Sequence, residues 1–291
     1  MKKNSNFAAK IDKMQGSVTT IGCFDGVHRG HRFLISQMRD IASVRRLITT
    51  VAALDIPGRR LLTPDFEKTE MLRDAGVGIC KTLHFTEELR TTSAFDFMKY
   101  TLKEELNTKV LVVGYDNMFG HNRENTFDDY VDFGRELGMD VVRAESLKVD
   151  GKEISSTLIR QLIAEGRTEH AAYLLGYPYT IRGTVVKGRH IGTSLGFPTA
   201  NIGHVNPAKL LPPSGVYSAM VGGRKAILNI GTNPTVSDDG SLSLEVHIID
   251  FSDDIYGEEI SVEIGKKIRD ERHFSSLEAL QQQIAIDVKM V

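Results

Sequence analysis

His28 and His31 stand three residues apart, with Gly30 between them, in the stretch Ile21–Leu34, IGCFDGVHRGHRFL. Imidazoles at that spacing share one face of a helical turn. From there both reach the same anion and donate hydrogen bonds to charge that builds up on it. The run Val18-Thr19-Thr20-Ile21 ahead of them reads as a buried strand. Gly22 and Gly26 let the backbone turn tightly and approach a ligand closely. Phe33, Leu34 and Met38 follow at helical spacing. A strand that turns through glycines into a helix leaves N–H groups open at the helix start, and that end attracts anions, phosphate above all. His-x-x-His is also half of a metal site, but no second Cys or His cluster in the sequence completes one.

Three further stretches carry chemistry. Ser155-Ser156-Thr157 opens a helical pattern four residues before Ile159-Arg160. Hydroxyls and N–H groups at a helix start, beside a permanent cation with a forked donor array, suit phosphate; a capped helix with an exposed arginine has the same pattern. Gly188, Gly192 and Gly196 recur every four residues between Gly183 and Asn201. Backbone that flexible wraps a polyphosphate through its N–H groups, or forms a plain surface loop. Glu245 sits in Leu244-Glu245-Val246-His247, where alternation with apolar neighbours is expected to turn it inward. No Walker A sequence is present, which speaks against a P-loop phosphotransferase.

The elements that must position these residues change character along the chain. From Val18 to Val142 strand-like runs (Val18–Ile21, Leu47–Leu54, Ile79–His84, Val110–Val113, Met139–Val142) alternate with helical ones (Gly30–Ser43, Glu67–Ala75, Ser93–Leu106, Phe127–Leu137). Such alternation predicts a parallel sheet covered on both faces, with ligands at the carboxyl ends of its strands. Beyond Gly176-Tyr177-Pro178 short strands follow one another: Tyr179–Lys187, Gly215–Gly222, Lys225–Gly231, Leu242–Asp250 and Glu259–Ile264. They predict a closed antiparallel barrel, followed by an amphipathic helix over Ser276–Val288. The predicted domains are 1–178 and 179–291, an α/β unit followed by a β unit.

A net charge of −2 over 291 residues gives no sign of a polyanion-binding surface, although a small anionic substrate remains compatible with it. Two cysteines fit a reducing cytoplasm. The polar N-terminus does not read as a secretory signal, and no run of about 18 apolar residues suggests a membrane span.

Gly22-x-Phe24-Asp25-Gly26-Val27-His28-x-Gly30-His31 resembles the signature of the HxGH nucleotidyltransferases, in the fuller form found in prokaryotic bifunctional riboflavin kinase/FAD synthetases. The resemblance continues from about Val18 to Asp287. Val112–Arg123 is similar to that family's Gly-x-Asp-x-x-Phe-Gly loop, with Asp116 at its acidic position and Met118 where an arginine often stands. Ser155-Ser156-Thr157-x-Ile159-Arg160 resembles a motif implied to hold ATP phosphates. Ile48–Arg60 departs, keeping only Asp55 and Pro57 of a Thr-Phe-Asp-x-His-Pro pattern. In the second half, Pro198-Thr199-Ala200-Asn201 resembles the riboflavin kinase Pro-Thr-Ala-Asn motif. There the resemblance implies that Thr199 and Asn201 bind Mg²⁺–ATP, and oxygen donors suit that hard cation. Gly192-Thr193-Ser194-Leu195-Gly196 lacks an arginine common in the family, for which Lys187 and Arg189 compensate.

The resemblance further implies Glu245 as general base and Arg269 near the flavin. The expected nucleotide- and flavin-binding set is Gly22, Phe24, Asp25, Gly26, Asp116, Ser155, Ser156, Thr157, Arg160, Gly183, Lys187, Gly188, Gly192, Gly196, Pro198, Thr199, Asn201 and Arg269, with His28, His31 and Glu245 catalytic. The implied activity is phosphorylation of riboflavin to FMN by ATP, then adenylylation of FMN to FAD with release of pyrophosphate. The implied partners are small molecules, with neither nucleic acid nor membrane, and the chain acts as a monomer or weak homo-oligomer. Met118 and the departure at 48–60 keep a kinase-only enzyme as the alternative, and a flavin or nucleotide sensor as a further one.

Overall fold

A computed structural model describes residues 16–115, 117–188, 196–232 and 242–291. Asp116, Gly192 and Arg189 from the expected sites, and the stretch 233–235, lie outside the described residues. The chain packs as two compact units, one of residues up to 59 with 63–155, the other of 60–62 with 156–291.

The first unit holds β1 (Ser17–Gly22), α1 (Arg29–Arg45), β2 (Ile48–Asp55), α2 (Asp65–Asp74), β3 (Ile79–His84), α3 (Glu87–Thr91), α4 (Ala94–Asp96), β4 (Thr108–Val113), α5 (Phe127–Leu137) and β5 (Asp140–Arg143). Its five strands are parallel in the order β3-β2-β1-β4-β5. Strands buried on both faces need apolar side chains in both directions. Accordingly Leu111 and Val113 of β4 join a cluster with Phe97, Met98 and Tyr130, while Val110 and Val112 join Val18, Met38 and Ala42 under α1. The helix expected over Ser93–Leu106 begins at a Ser93 cap but continues as a π-helix over Phe97–Glu105. The wider turn carries Phe97, Met98, Leu102 and the following Leu106 into the same core.

A two-stranded hairpin, β6 (Lys148–Val149) and β7 (Lys152–Glu153), closes this unit. The second unit then takes α6 (Ser156–Ala164) and α7 (Thr168–Leu175) before its barrel. The barrel strands are β8 (Tyr179–Val186), β9 (Ala200–Gly203), β10 (Gly215–Val221), β11 (Arg224–Thr232), β12 (Leu242–Ile248) and β13 (Glu259–Arg269). They close in the order β10-β11-β12-β9-β8-β13, every pair antiparallel. α8 (Leu277–Val288), capped by Ser276, lies against β11. β9 has no counterpart in the sequence reading. Four residues directly after Pro198 are too few to show a period, yet they pair with both β8 and β12.

Candidate active sites

In the first unit β1 runs to β2 on one side and to β4 on the other, so the strand order reverses between β1 and β4. In open α/β sheets a ligand crevice lies outside the strand ends at such a point. A cleft of about 300 Å³ opens there, lined by Ile21, Gly22, Phe24, His31 and Leu34 from β1, α1 and the turn between them, and by Gly114, Asn117, Met118 and Arg123 from the loop after β4.

The β1–α1 turn is strained and tightly held. Phe24 and Val27 adopt positive φ, +49° and +32°, which is rare for side chains of their shape. Asp25 is buried, and its Oδ1 accepts from the Thr63 N–H at 3.0 Å; the Gly26 N–H donates to Thr63 Oγ1 at 2.9 Å. Within this unit Asp25 therefore braces the turn through Thr63. No local pattern around Thr63 announced it, because its partners lie 37 and 38 residues upstream.

His28 caps α1: its Nδ1 accepts from the His31 N–H at 3.3 Å. That bond assigns the ring's own proton to Nε2 in the neutral tautomer. The two imidazoles stack with centroids 3.6 Å apart, and Phe24 lies 4.8 Å from His31. A Cβ on Gly30 would come within 3.2 Å of His28 Nδ1, so the small residue leaves room for the stack. Burial, and secondarily the neighbouring His28, hold the His31 pKa well below the usual histidine value. Among the described residues His31 Nδ1 is buried without a hydrogen-bond partner. Perturbed titratable groups beside a cleft mark a candidate functional site, and His31 lines this one.

Beyond the cleft, Ser155 ends the first unit, whereas Ser156, Thr157 and Arg160 fall in α6 of the second. Asp55, at the end of β2, pairs with His84 at the end of β3, 3.0 Å apart.

The barrel carries two clefts that share a wall. One, about 410 Å³, is lined by Pro198, Thr199, Val246, Phe251, Asp254 and Tyr256. The other, about 300 Å³, is lined by Thr199, Asn229, Glu245, His247, Arg269 and Phe274, with Leu280 and Ile284 of α8. Thr199 belongs to both. β12 corrects the orientation expected for Glu245. Leu244, Val246 and Ile248 are its buried face, so alternation sends Glu245 and His247 to the opposite side and into the second cleft. The expectation took alternation to turn the carboxylate inward, whereas the apolar neighbours themselves occupy the inward face. In register, Glu245 pairs with Asn201 of β9 on one side and Asn229 of β11 on the other. His247 Nδ1 donates to the Pro198 carbonyl at 2.8 Å, which ties the Pro-Thr turn to β12.

Gly188 answers the sequence reading at one point: a Cβ there would lie 1.9 Å from Asn201 Nδ2, so only glycine admits the amide. Gly183 is packed on Gly203 and Ile202 inside the barrel, and Gly196 adopts φ +82° in open space. Lys187 is exposed at the end of β8. Arg269 lies under the second cleft, where Nε and Nη2 donate to Asp287 of α8 at 2.8–3.1 Å. Sequence reading missed Asp287, Thr63, Asn117 and His247. The only local signal was Asp287 in an otherwise apolar turn of the last helix.

A parallel sheet with an anion-receiving turn at its switch point, joined in one chain to a closed barrel with two adjoining clefts, defines a two-domain nucleotide-handling protein. Comparison with known families agrees: residues 10–158 match the FAD synthetase model and residues 175–291 the riboflavin kinase model. Over 290 residues the chain is 37% identical to a bifunctional riboflavin kinase/FMN adenylyltransferase of Escherichia coli, covering 94% of this chain and 91% of that one. A protein of the same description from Pseudomonas fluorescens is 36% identical, with the same coverage. A crystal structure from Streptococcus pneumoniae, described as a macrolide-efflux protein, superposes with a TM-score of 0.86 at 29% identity over 96% of both chains. Among the described residues of this chain, no helix is long and apolar enough to cross a membrane. The chain belongs to the bifunctional riboflavin kinase/FMN adenylyltransferase family.

Proposed function

We propose that this chain phosphorylates riboflavin in its barrel and adenylylates FMN in its parallel-sheet unit. The observation that carries the kinase half is the shared wall at Thr199. ATP in the larger cleft and riboflavin in the smaller one, beside Glu245, meet at that residue. Glu245 accepts the proton of the ribityl 5′-hydroxyl as its oxygen attacks the γ-phosphorus; the γ-phosphoryl bond to ADP breaks and FMN forms. Lys187, Gly188, Gly196 and Pro198 border the nucleotide, and Arg269 the flavin.

Thr199 and Asn201 offer a hydroxyl and an amide oxygen. The space that Gly188 leaves for Asn201 keeps that amide in place. Two neutral oxygens fit an ion that arrives with a nucleotide and keeps phosphate and water for its remaining positions. Thr199 and Asn201 would hold Mg²⁺, which would offset the charge of the phosphates.

In the first unit, a phosphate oxygen of FMN attacks the α-phosphorus of ATP, and pyrophosphate leaves. Catalysis is by position and charge, without a covalent intermediate on the enzyme. His28 donates through Nε2, and His31, kept neutral, meets the developing charge. Gly22, Phe24 and Gly26 contribute phosphate contacts, with Asp25 holding the turn.

Purified chain incubated with riboflavin, ATP and Mg²⁺, with products separated by chromatography, tests the reading. FMN followed by FAD is expected. FMN alone supports a kinase with a silent first unit, and absence of both products refutes the enzyme reading.

A further inference from the structure

Among the described residues that line the first unit's cleft, Arg123 is the one permanent cation. Its backbone is unusual: Asn122 and Arg123 occupy the left-handed region in succession, at φ +51° and +53°. Non-glycine residues persist there where the surroundings over-determine them, and such positions gather at ligand sites.

The surroundings do over-determine this loop. Asn117 Nδ2 donates to the Ile21 carbonyl at 2.6 Å, tying the loop to the end of β1. Tyr130 Oη accepts from the Phe119 N–H and donates to the Phe119 carbonyl, and the two rings stack at 4.2 Å. A Cβ on Gly120 would lie 2.7 Å from the Ala94 backbone, and the His121 N–H donates to Thr92. The nearest carboxylate in sequence, Glu124, is engaged by Asn122 Nδ2 at 2.9 Å. No carboxylate of the described residues pairs with Arg123. Arg123 is exposed where it borders the cleft, and the left-handed backbone together with the ties from Asn117 to His121 sets the point from which its guanidinium reaches in.

We propose that Arg123 holds the phosphomonoester of the flavin acceptor during adenylyl transfer. The inference rests on the adenylyltransferase reading of this cleft. In-line displacement puts the attacking phosphate and the departing pyrophosphate on opposite sides of the α-phosphorus. The start of α1, with His28 and His31, is the anion-receiving end for the triphosphate. The cation on the wall built by the loop after β4 then serves the other phosphate. A guanidinium fork matches two oxygens of a terminal phosphate, and its planar donor array is pre-organised for both bonds. Arg123 is a positioning residue in this assignment, since it orients the attacking oxygen and exchanges no proton.

The test uses the full chain, with FAD formation measured while FMN and ATP are varied in turn. Arg123→Ala is expected to raise the KM for FMN about 10- to 100-fold, the span of a lost charge-assisted contact. The KM for ATP should stay within about twofold, and Arg123→Lys should fall between the parent and Arg123→Ala. Riboflavin phosphorylation and the thermal transition should not move. A KM for FMN within twofold of the parent overturns the assignment, and so does a rise confined to ATP. A parent chain that forms no FAD fails at the adenylyltransferase reading itself, whereas a parent that forms FAD beside an unaltered Arg123→Ala fails at Arg123 alone.

Discussion

Asp287→Ala is expected to loosen the C-terminal helix from the barrel and to damage riboflavin binding together with stability. Asp287 is 2% exposed at its side chain and Arg269 11%. Three bonds join them: Nε to Oδ1 at 3.1 Å, Nε to Oδ2 at 3.0 Å and Nη2 to Oδ2 at 2.8 Å. Gln283 Nε2 adds a fourth bond to Oδ1 at 2.8 Å. Removing one partner of a buried pair leaves the other charge uncompensated, at a cost of about 3–5 kcal/mol. Arg269 retains some support, because Nη1 donates to the Asp270 carbonyl at 3.1 Å and the guanidinium lies 5.6 Å from the Phe274 ring. The lower end, about 3 kcal/mol, is therefore the expected loss. For a unit of this size that lowers the melting temperature by roughly 10 °C. Thermal and urea denaturation measure it directly. The double variant Arg269→Met/Asp287→Leu should recover most of the loss, since replacing a buried pair by apolar side chains is often neutral. Arg269 and Asp287 both line the cleft proposed for riboflavin, so the KM for riboflavin should rise in Asp287→Ala. A loss below about 1 kcal/mol, or a double variant no better than the single one, would show that the pair is a solvated surface contact and that burial was misread.

Other outcomes follow from the same geometry. The folded pKa of His31 lies below its unfolded value near 6.5, so its contribution to stability is intact above that pH. It falls as the pH drops towards the folded pKa, because the unfolded chain takes up the proton first. NMR titration should find the His31 ring neutral throughout pH 6.5–8, and a midpoint near 6.5 would contradict this. Gly188→Ala forces the Asn201 amide aside and should lower riboflavin phosphorylation by about tenfold or more, as misplacement by an ångström can. FAD formation from supplied FMN should be unchanged in the same protein. Tyr130→Phe strips both partners from the buried Phe119 backbone and should cost about 1–3 kcal/mol in denaturation. Tyr217, whose pKa burial pushes up to about 12, should stay mostly protonated at pH 11 when its own ring resonances are followed by NMR, and half ionisation near pH 10 would contradict this.

Much of this was legible in the sequence, for stated reasons. Ile79–His84 and Phe127–Leu137 were read with their observed limits, because each carries its own punctuation: a glycine before the strand, and a capping threonine and a terminal glycine around the helix. The strand-to-helix turn with His28 and His31 was legible because its glycines, imidazoles and flanking periods are contiguous. What escaped depends on distant partners. Thr63 braces Asp25 and Gly26 across nearly forty residues, and Asp287 reaches Arg269 across 18. β9 is too short to carry a period of its own and exists through its pairing with β8 and β12. Arg123 lay inside a quoted stretch but had no assigned role. Its meaning comes from a left-handed backbone and a fixed loop, which composition does not encode.

The most direct measurement assays one chain for two separable chemistries. His28→Ala and Glu245→Gln are each tested for FMN formation from riboflavin and for FAD formation from supplied FMN, with ATP and Mg²⁺ present in both assays. His28→Ala should keep the first activity and lose the second, and Glu245→Gln the reverse. If either folded variant loses both activities, the two sites do not act separately and the central claim is contradicted.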